Sequence, residues 1–205
     1  MSVLEEQPFG FESDGLRIEG LLHRGAARLA AVVLHPHPQY SDMHNHVVAA
    51  VCQAFRERGV TTLRFNFRGT GRGEYRFDGG DGECADALAA IAALRLLTPG
   101  ADVVLAGYSF GAIVAARVAA GARLRGLMLI SPPPAVATAA PFPPGLETLI
   151  ITGSDDAVAP PDALAALATA TTRVVTVAGA DHGWWPGVEV LAAEISQFVA
   201  ELAPV

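Results

Sequence analysis

The most constraining feature of the sequence is the stretch from Asp102 to Ala120. In it a short β-branched run, the pentapeptide Gly-Tyr-Ser-Phe-Gly and an alanine-rich helical pattern follow one another directly. This order predicts a strand, a sharp turn and a helix, with Ser109 at the tip of the turn and its Oγ pushed out above a sheet. Gly107 and Gly111 stand where a Cβ would collide with the neighbouring strand or helix. A serine between two glycines is also a common turn or helix-cap pattern, so its partners decide its role.

Predicted strands and helices alternate along the rest of the chain. A hairpin is predicted around Asp14-Gly15, and the apolar run at 29–34 is typical of a strand buried on both faces of a parallel sheet. Besides the strand and helix on either side of Ser109, strands are predicted at 60–67, 124–130, 146–152 and 173–177, and helices at 44–58, 83–97, 161–170 and 188–202. The proline-rich segment 131–145 cannot form regular helix or sheet.

This rhythm predicts the α/β class and a single domain over residues 1–205. We expect a mostly parallel sheet of about eight strands, with an antiparallel N-terminal hairpin and helices on both faces. Active groups are then expected on loops at the carboxyl ends of the strands.

A nucleophilic serine in this architecture needs a neutral imidazole and a carboxylate, in the chain order serine, acid, histidine. His182 is the only one of the six histidines that follows Ser109, and it is therefore the predicted base. Asp155 and Asp156 both follow the predicted strand at 146–152, and either can supply the carboxylate while the other caps the next helix. Asp181 is too close to His182 in sequence to reach under its ring easily.

Two backbone amides are expected to bind the oxyanion that forms when the serine attacks. The amide of Phe110, in the first turn of the predicted helix, is one of them. The second should come from the loop after the strand at 29–34, where Pro36 and Pro38 have no N–H. The amide between these two prolines belongs to His37, which is the predicted second donor.

Other residues near the predicted catalytic loops have simpler interpretations. Histidines at 35, 37, 44 and 46 raise the question of zinc, but no acidic or cysteine ligand completes a recognisable site, so neither a metal nor a cofactor is predicted. The glycine-rich loop after Arg68 lacks the lysine of a phosphate-binding loop and is predicted to be a tight turn, with Arg68 in a structural ion pair. The large apolar side chains nearest the catalytic loops are candidates for pocket walls: Tyr40, Phe142, Trp184 and Trp185.

Charge and cysteine content bound the partners and the compartment. The net charge of −7 and the pI near 5.3 argue against nucleic-acid and membrane partners. The absence of lysine excludes Schiff-base chemistry, and the isolated Cys52 and Cys84 fit a reducing cytoplasm. The start of the chain does not match a secretory signal, and no apolar run is long enough for a bilayer. We expect a cytoplasmic protein whose partner is a small-molecule acyl substrate, and a homodimer is left open.

The sequence resembles the α/β-hydrolase superfamily, and more narrowly the small bacterial hydrolases related to dienelactone hydrolase. The matching motifs are HPHP at 35–38, HNHVV at 44–48, RFNFRG at 64–69, the segment 77–83, GYSFG at 107–111, the segment 153–160 and DH at 181–182. The resemblance implies the α/β-hydrolase fold and a carboxylic-ester hydrolase activity. It also implies that the acid is Asp156, which stands three residues after a glycine and four before a proline.

The chain departs from that family pattern at three places. Ser41-Asp42 stand where the family usually has a glycine pair, and His46 stands where it usually has a lysine. The serine that commonly follows the RGxG motif is replaced near Gly73-Glu74. These departures concern the mouth of the pocket rather than the predicted triad.

Together these features predict a serine hydrolase that cleaves a small carboxylic ester or thioester. Ser109 attacks the acyl carbon with His182 as base, and water then releases the acyl-enzyme. Only residues 131–145 are available to lie over the site, so no large lid is expected. A serine peptidase acting on short peptides and a non-catalytic small-molecule-binding protein of the same fold are the alternatives.

Overall fold

The structure, a computed structural model, describes residues 5–70 and 79–202. In these residues eight strands form one sheet: β1 (Gln7–Ser13), β2 (Leu16–His23), β3 (Leu29–Leu34), β4 (Thr61–Phe65), β5 (Asp102–Tyr108), β6 (Gly126–Ile130), β7 (Glu147–Gly153) and β8 (Thr172–Val177). The helices are α1 (His46–Glu57), α2 (Asp81–Leu97), α3 (Phe110–Ala119), α4 (Pro161–Ala165) and α5 (Val188–Leu202), and a 3-10 helix covers Pro134–Ala139.

The sheet begins with the predicted hairpin. Strands β1 and β2 are antiparallel, and Asp14 and Gly15 between them have φ of +48° and +77°. Two successive positive φ angles make the turn type whose twist matches that of a hairpin. β2 also pairs antiparallel with β4, and every later pairing is parallel, in the order β1-β2-β4-β3-β5-β6-β7-β8. The predicted mostly parallel sheet is confirmed.

Helices cover both faces of this sheet. In β3, side chains alternate between an apolar layer shared with α2 and α3 and a second apolar layer shared with α1 and α5. All six residues of β3 are buried as a result, which is why its sequence is a continuous apolar run without alternation.

Three helices have boundaries that differ from the prediction: α2 begins at Asp81 rather than at residue 83, and α1 and α4 differ for local reasons. α1 begins at His46 rather than at residue 44, because the Oδ1 of Asn45 accepts the N–H of Val47 at 2.9 Å and caps the helix there. α4 ends at Ala165 rather than at residue 170. In the residues that follow, the hydroxyl of Thr169 accepts the N–H of Thr171 at 3.3 Å, a local bond that competes with a helical one.

The topology sets where a site can form. The chain leaves β3 for β4 on one side, whereas β5 is followed by β6 on the other side, so the strand order reverses between β3 and β5. In open α/β sheets the crevice outside the carboxyl ends of strands at such a reversal is the usual position of a ligand site. The loop after β3 and the sharp turn after β5 meet at this point.

Candidate active site

Ser109 occupies the sharp turn between β5 and α3. Its φ of +54° and ψ of −117° lie in a region that residues with a side chain rarely adopt. A Cβ on Gly107 would lie 2.2 Å from the carbonyl oxygen of Gly111, and a Cβ on Gly111 would lie 2.6 Å from that of His35. The turn therefore requires both glycines for the close backbone approaches that the motif predicts.

Ser109, His182 and Asp156 form one chain of hydrogen bonds at the carboxyl ends of β5, β8 and β7. The distance from Ser109 Oγ to His182 Nε2 is 3.0 Å, and His182 Nδ1 lies 3.0 and 2.9 Å from the two carboxylate oxygens of Asp156. Because an ionised carboxylate can only accept, Nδ1 carries the ring proton and Nε2 faces the serine hydroxyl as acceptor. The structure thus brings together the predicted serine and histidine and, of the two candidate aspartates, Asp156.

The environments of the two aspartates explain the difference between them. Asp155 is exposed, whereas the Asp156 side chain is buried and its Oδ1 also accepts the N–H groups of Val158 and Ala159, at 2.9 and 2.8 Å. Burial alone would raise the pKa of Asp156. Hydrogen bonds from His182, from a serine hydroxyl described below and from the Ala159 amide outweigh it and hold that pKa below its usual value. The carboxylate is therefore ionised at neutral pH.

A buried pair of residues supports Asp156 from behind. The indole N–H of Trp184 donates to Ser131 Oγ at 2.9 Å, and the Ser131 hydroxyl in turn hydrogen-bonds Asp156. The prediction that Trp184 lines the pocket is wrong: its side chain is fully buried in the apolar layer with α1 and α5. The role of Ser131 was not predicted, although its place directly after β6, at the edge that carries the acid, was a usable signal.

Tyr108, the residue before the serine, anchors the loop between β8 and α5 that carries His182 (residues 178–187, the histidine loop). Its hydroxyl donates to the backbone carbonyl of His182. Burial, together with the negative charges of Asp156 and Asp181, raises the pKa of Tyr108, so the phenol keeps its proton and remains a donor at neutral pH. Sequence reasoning missed this residue, because nothing in the pattern of the turn assigns a task to the side chain between glycine and serine.

The loop after β3 is held in place by the buried His35. Its Nε2 accepts the N–H of Phe67 at 3.0 Å, and its Nδ1 donates to the carbonyl of Pro36 at 2.6 Å. Burial lowers the pKa of His35 to about 4, so the ring is neutral at physiological pH, as this pattern of one donor and one acceptor requires. In the same loop the ring of His37 lies 5.0 Å from that of Phe110, so the two segments that carry the predicted oxyanion donors are neighbours.

The other predicted pocket residues lie in different places. Tyr40 is 85% exposed, with its ring 5.5 Å from that of His37, and Trp185 is 76% exposed in the histidine loop itself. Phe142 does not lie at this edge, so its predicted place in the pocket is wrong: it lines a small cavity with Leu167 and Thr172, at the amino ends of the strands. Strands β6 and β7 are parallel, so the segment between them must run from the carboxyl ends of the strands to the amino ends. Phe142 lies near the end of that segment, close to the amino ends.

Two other interpretations of the motifs can be compared with the structure. In the described residues no group of three or more His, Cys, Asp or Glu side chains is placed to hold a metal ion. Arg68 forms ion pairs with the buried Asp86 at 2.7 Å and with Asp14 at 3.0 Å, as its predicted structural role requires. Most of the glycine-rich loop, including the motif residues Gly73-Glu74 and Phe77-Asp78, lies outside the described residues.

Within the ranges 5–70 and 79–202, no helix has the length and apolar character needed to span a membrane.

Known proteins resemble this chain in sequence and in fold. A profile of the alpha/beta hydrolase family matches residues 31–148. An α/β serine hydrolase without a lid from Xanthomonas campestris is 27% identical, with a TM-score of 0.90 over 99% of this chain and 97% of that one. A protein of unknown function from Agrobacterium tumefaciens is 32% identical, with a TM-score of 0.85 over 97% of this chain and 100% of that one.

An uncharacterized protein from Rickettsia prowazekii is 40% identical over 122 residues, which are 57% of this chain. The match spans only 51% of that relative's length, so the chain covers about half of the curated protein that it resembles.

Proposed function

The chain belongs to the alpha/beta hydrolase family, and from this we propose that it is a serine hydrolase that cleaves small carboxylic esters or thioesters. The observation that carries the proposal is the hydrogen-bonded chain from Ser109 through His182 to the buried Asp156. A strained serine, a histidine in the right tautomer and an ionised acid are the three parts that this chemistry needs.

In the proposed mechanism Ser109 Oγ attacks the acyl carbon and transfers its proton to His182 Nε2. The backbone amides of His37 and Phe110 bind the oxyanion that forms, an interaction typically worth on the order of 3 kcal/mol per donor. His182 then gives the proton to the leaving alcohol or thiol, and Asp156 stabilises the imidazolium in between. A water molecule, deprotonated by His182, releases the acyl group from Ser109.

The proposal of a small substrate is supported by the short connection between β6 and β7. Its 3-10 helix, Pro134–Ala139, packs against α3, and the residues after it run to the opposite edge of the sheet. Few residues of this connection are therefore available to cover Ser109. An open cleft suits small or terminal acyl groups better than long buried lipids.

A fluorophosphonate probe tests the nucleophile without a guess at the substrate. We expect the probe to label Ser109, as mapped by mass spectrometry, and the labelling to disappear in His182→Ala. His44→Ala, which removes an exposed histidine near the same edge, is the matched control and should be labelled like the wild type. Absence of label on the folded wild-type protein would overturn the proposal in favour of a non-catalytic binding protein.

Two finer assignments belong to the same proposal. The motifs at 35–38 and 64–69 support a place among the small bacterial hydrolases related to dienelactone hydrolase. The two cysteines without a disulfide-like spacing support a cytoplasmic protein.

A further inference from the structure

Trp185 places a large, exposed ring beside the histidine of the site. Its side chain is 76% exposed, and it belongs to neither apolar layer of the described fold. A Cβ on Gly183 would lie 3.1 Å from Cδ1 of Trp185, so the indole lies against the backbone of the residue that directly follows His182. The neighbouring Trp184 fills the apolar layer beneath this loop, and Trp185 adds nothing to that layer.

One face of the Trp185 ring is covered by the ring of His46. The two rings are stacked, with centroids 4.1 Å apart and planes 14° from parallel. His46 Nε2 donates to the carbonyl of Gly183 at 2.8 Å, and this bond joins the start of α1 to the histidine loop. One face of the indole is therefore covered, while most of its surface is open to solvent. A pre-oriented aromatic surface loses little conformational entropy when a ligand binds to it.

The position of this platform indicates which part of a substrate it would touch. In ester hydrolysis His182 Nε2 must reach the leaving oxygen in order to protonate it. The departing alcohol therefore lies over the histidine loop, which carries Trp185. The oxyanion side of the site is formed by the other segments, which carry His37 and Phe110.

We propose that Trp185, backed by His46, binds the alcohol portion of the substrate, and that the preferred substrates are esters whose alcohol carries a flat aromatic group close to the ester oxygen. This inference rests on the proposed hydrolase function. A planar ring can stack on the open surface of the indole, whereas a puckered aliphatic ring of the same size contacts it less closely.

Benzyl acetate and cyclohexylmethyl acetate test the proposal, because they share the acyl group and differ in the flatness of the alcohol. Relative to hydroxide-catalysed hydrolysis of the same esters, we expect kcat/KM to favour the benzyl ester about fivefold. In Trp185→Leu, which stays apolar but loses the flat ring, this preference should disappear. Leu96→Ala, which removes an exposed apolar side chain from α2, should keep it. An unchanged preference in Trp185→Leu would overturn the inference.

Fluorescence supplies a readout that needs no turnover. The chain has two tryptophans, and because Trp184 is fully buried, Trp185 is the one that a ligand at the surface can touch. Benzyl alcohol should change the emission of the Ser109→Ala protein more than cyclohexylmethanol does, and the change should be lost when Trp185→Phe is added. Equal responses to both alcohols would contradict the platform. Failure of the fluorophosphonate label would instead refute the hydrolase itself, so the two failures are distinguishable.

Discussion

Strained backbone in this protein is concentrated around the candidate site. In the described part of the chain four residues other than glycine have positive φ, and three of them are Ser109, Ser131 and Trp184. Each such residue costs of the order of 1–3 kcal/mol and persists only where its surroundings hold it in place. Here the surroundings are the hydrogen bonds among Trp184, Ser131 and Asp156, and between Ser109 and His182. The hydrogen bonds that hold these strained residues in place are thus the same bonds that join the groups required by the proposed chemistry.

Replacing Asp156 separates its chemical role from its packing. Asp156→Asn keeps the shape of the side chain, but its amide can donate to Nδ1 and favours the tautomer with the proton on Nε2, the wrong one for a base. We expect kcat for a short ester to fall about 10⁴-fold while the protein stays folded. Asp155→Asn, which changes the exposed neighbouring carboxylate, is the control and should retain wild-type kcat. A comparable loss in both variants would contradict the assignment of the acid.

The lowered pKa of His35 predicts that the free energy of unfolding decreases in mild acid. Its pKa is lowered from 6.5 to about 4 in the folded protein, so between these values the unfolded chain binds the proton and the folded chain does not. The free energy of unfolding should therefore decrease as the pH falls from 6.5 to 4, by up to about 3 kcal/mol from this group. Urea titrations across this range measure the effect.

A histidine-selective NMR titration provides the control for that prediction. The His35 ring should titrate near pH 4, and the pH dependence between 4 and 6.5 should be smaller in His35→Asn. If His35 titrates near 6.5 instead, the buried neutral ring is not the cause of any acid sensitivity.

A single residue could be predicted where a sequence motif or the order of residues along the chain indicates its role. Ser109 and His182 could be predicted because the turn motif and the chain order leave few alternatives. Tyr108 could not, because it supports the site through a contact that exists only after folding. For Ser131 the one available signal was its place directly after β6. Trp184 and Trp185 are adjacent residues of the same type, and nothing in the sequence indicates that Trp184 is buried against Ser131 while Trp185 is exposed.

At the scale of elements, the approach of α3 to β3 decides whether the site can assemble. Gly111 lies in the first turn of α3, in contact with the carbonyl groups of Leu34 and His35 at the end of β3. The same approach brings the loop that carries His37 beside Phe110. A small residue at this crossing is thus a requirement of the fold as well as of the proposed oxyanion site.

Gly111→Ala tests this crossing. The new Cβ would lie 2.6 Å from the His35 carbonyl oxygen and 2.7 Å from that of Leu34, and backbone atoms cannot swing aside as a side chain can. We expect the free energy of unfolding to fall by about 1–3 kcal/mol in urea titrations. Gly121→Ala, whose Cβ would find its nearest neighbour at 3.9 Å, should change it by less than about 0.5 kcal/mol. Equal effects of the two substitutions would show that the crossing is not tight.

Elements were predicted more completely than their ends. Periodicity and apolar runs are properties of whole segments, so all eight strands and the five helices of the described chain were anticipated from them. Ends depend on single hydrogen bonds, such as the Asn45 cap on α1 and the Thr169 hydroxyl beyond α4. The position of Phe142 depends on the direction of a whole connection, which follows from the parallel pairing of β6 and β7.

At the scale of the whole molecule, the residues of the proposed chemistry lie at the carboxyl ends of the strands. The segments that lead into the next strand lie at the opposite edge of the sheet. Ser109, Asp156 and His182 all follow carboxyl ends of parallel strands, and the strand order reverses beside β5, the strand that leads to Ser109. This arrangement follows from the right-handed crossover rule for parallel strands, and it could be predicted before any side chain was placed. The same topology explains why the short β6–β7 segment does not cover Ser109: its residues are used for the crossover to the opposite edge of the sheet.

The whole-molecule arrangement predicts that no conformational opening precedes catalysis. A lipase-like lid must move when substrate aggregates form, and its movement makes the rate jump at the solubility limit of the ester. The β6–β7 segment contains only the 3-10 helix packed on α3 and a return to the opposite edge, so it offers nothing that such an interface could displace. Initial rates with vinyl butyrate should follow one hyperbola through its solubility limit, both with and without detergent. A lid-bearing lipase assayed in parallel should show the jump, and a jump in this protein would mean that another part of the chain closes over Ser109.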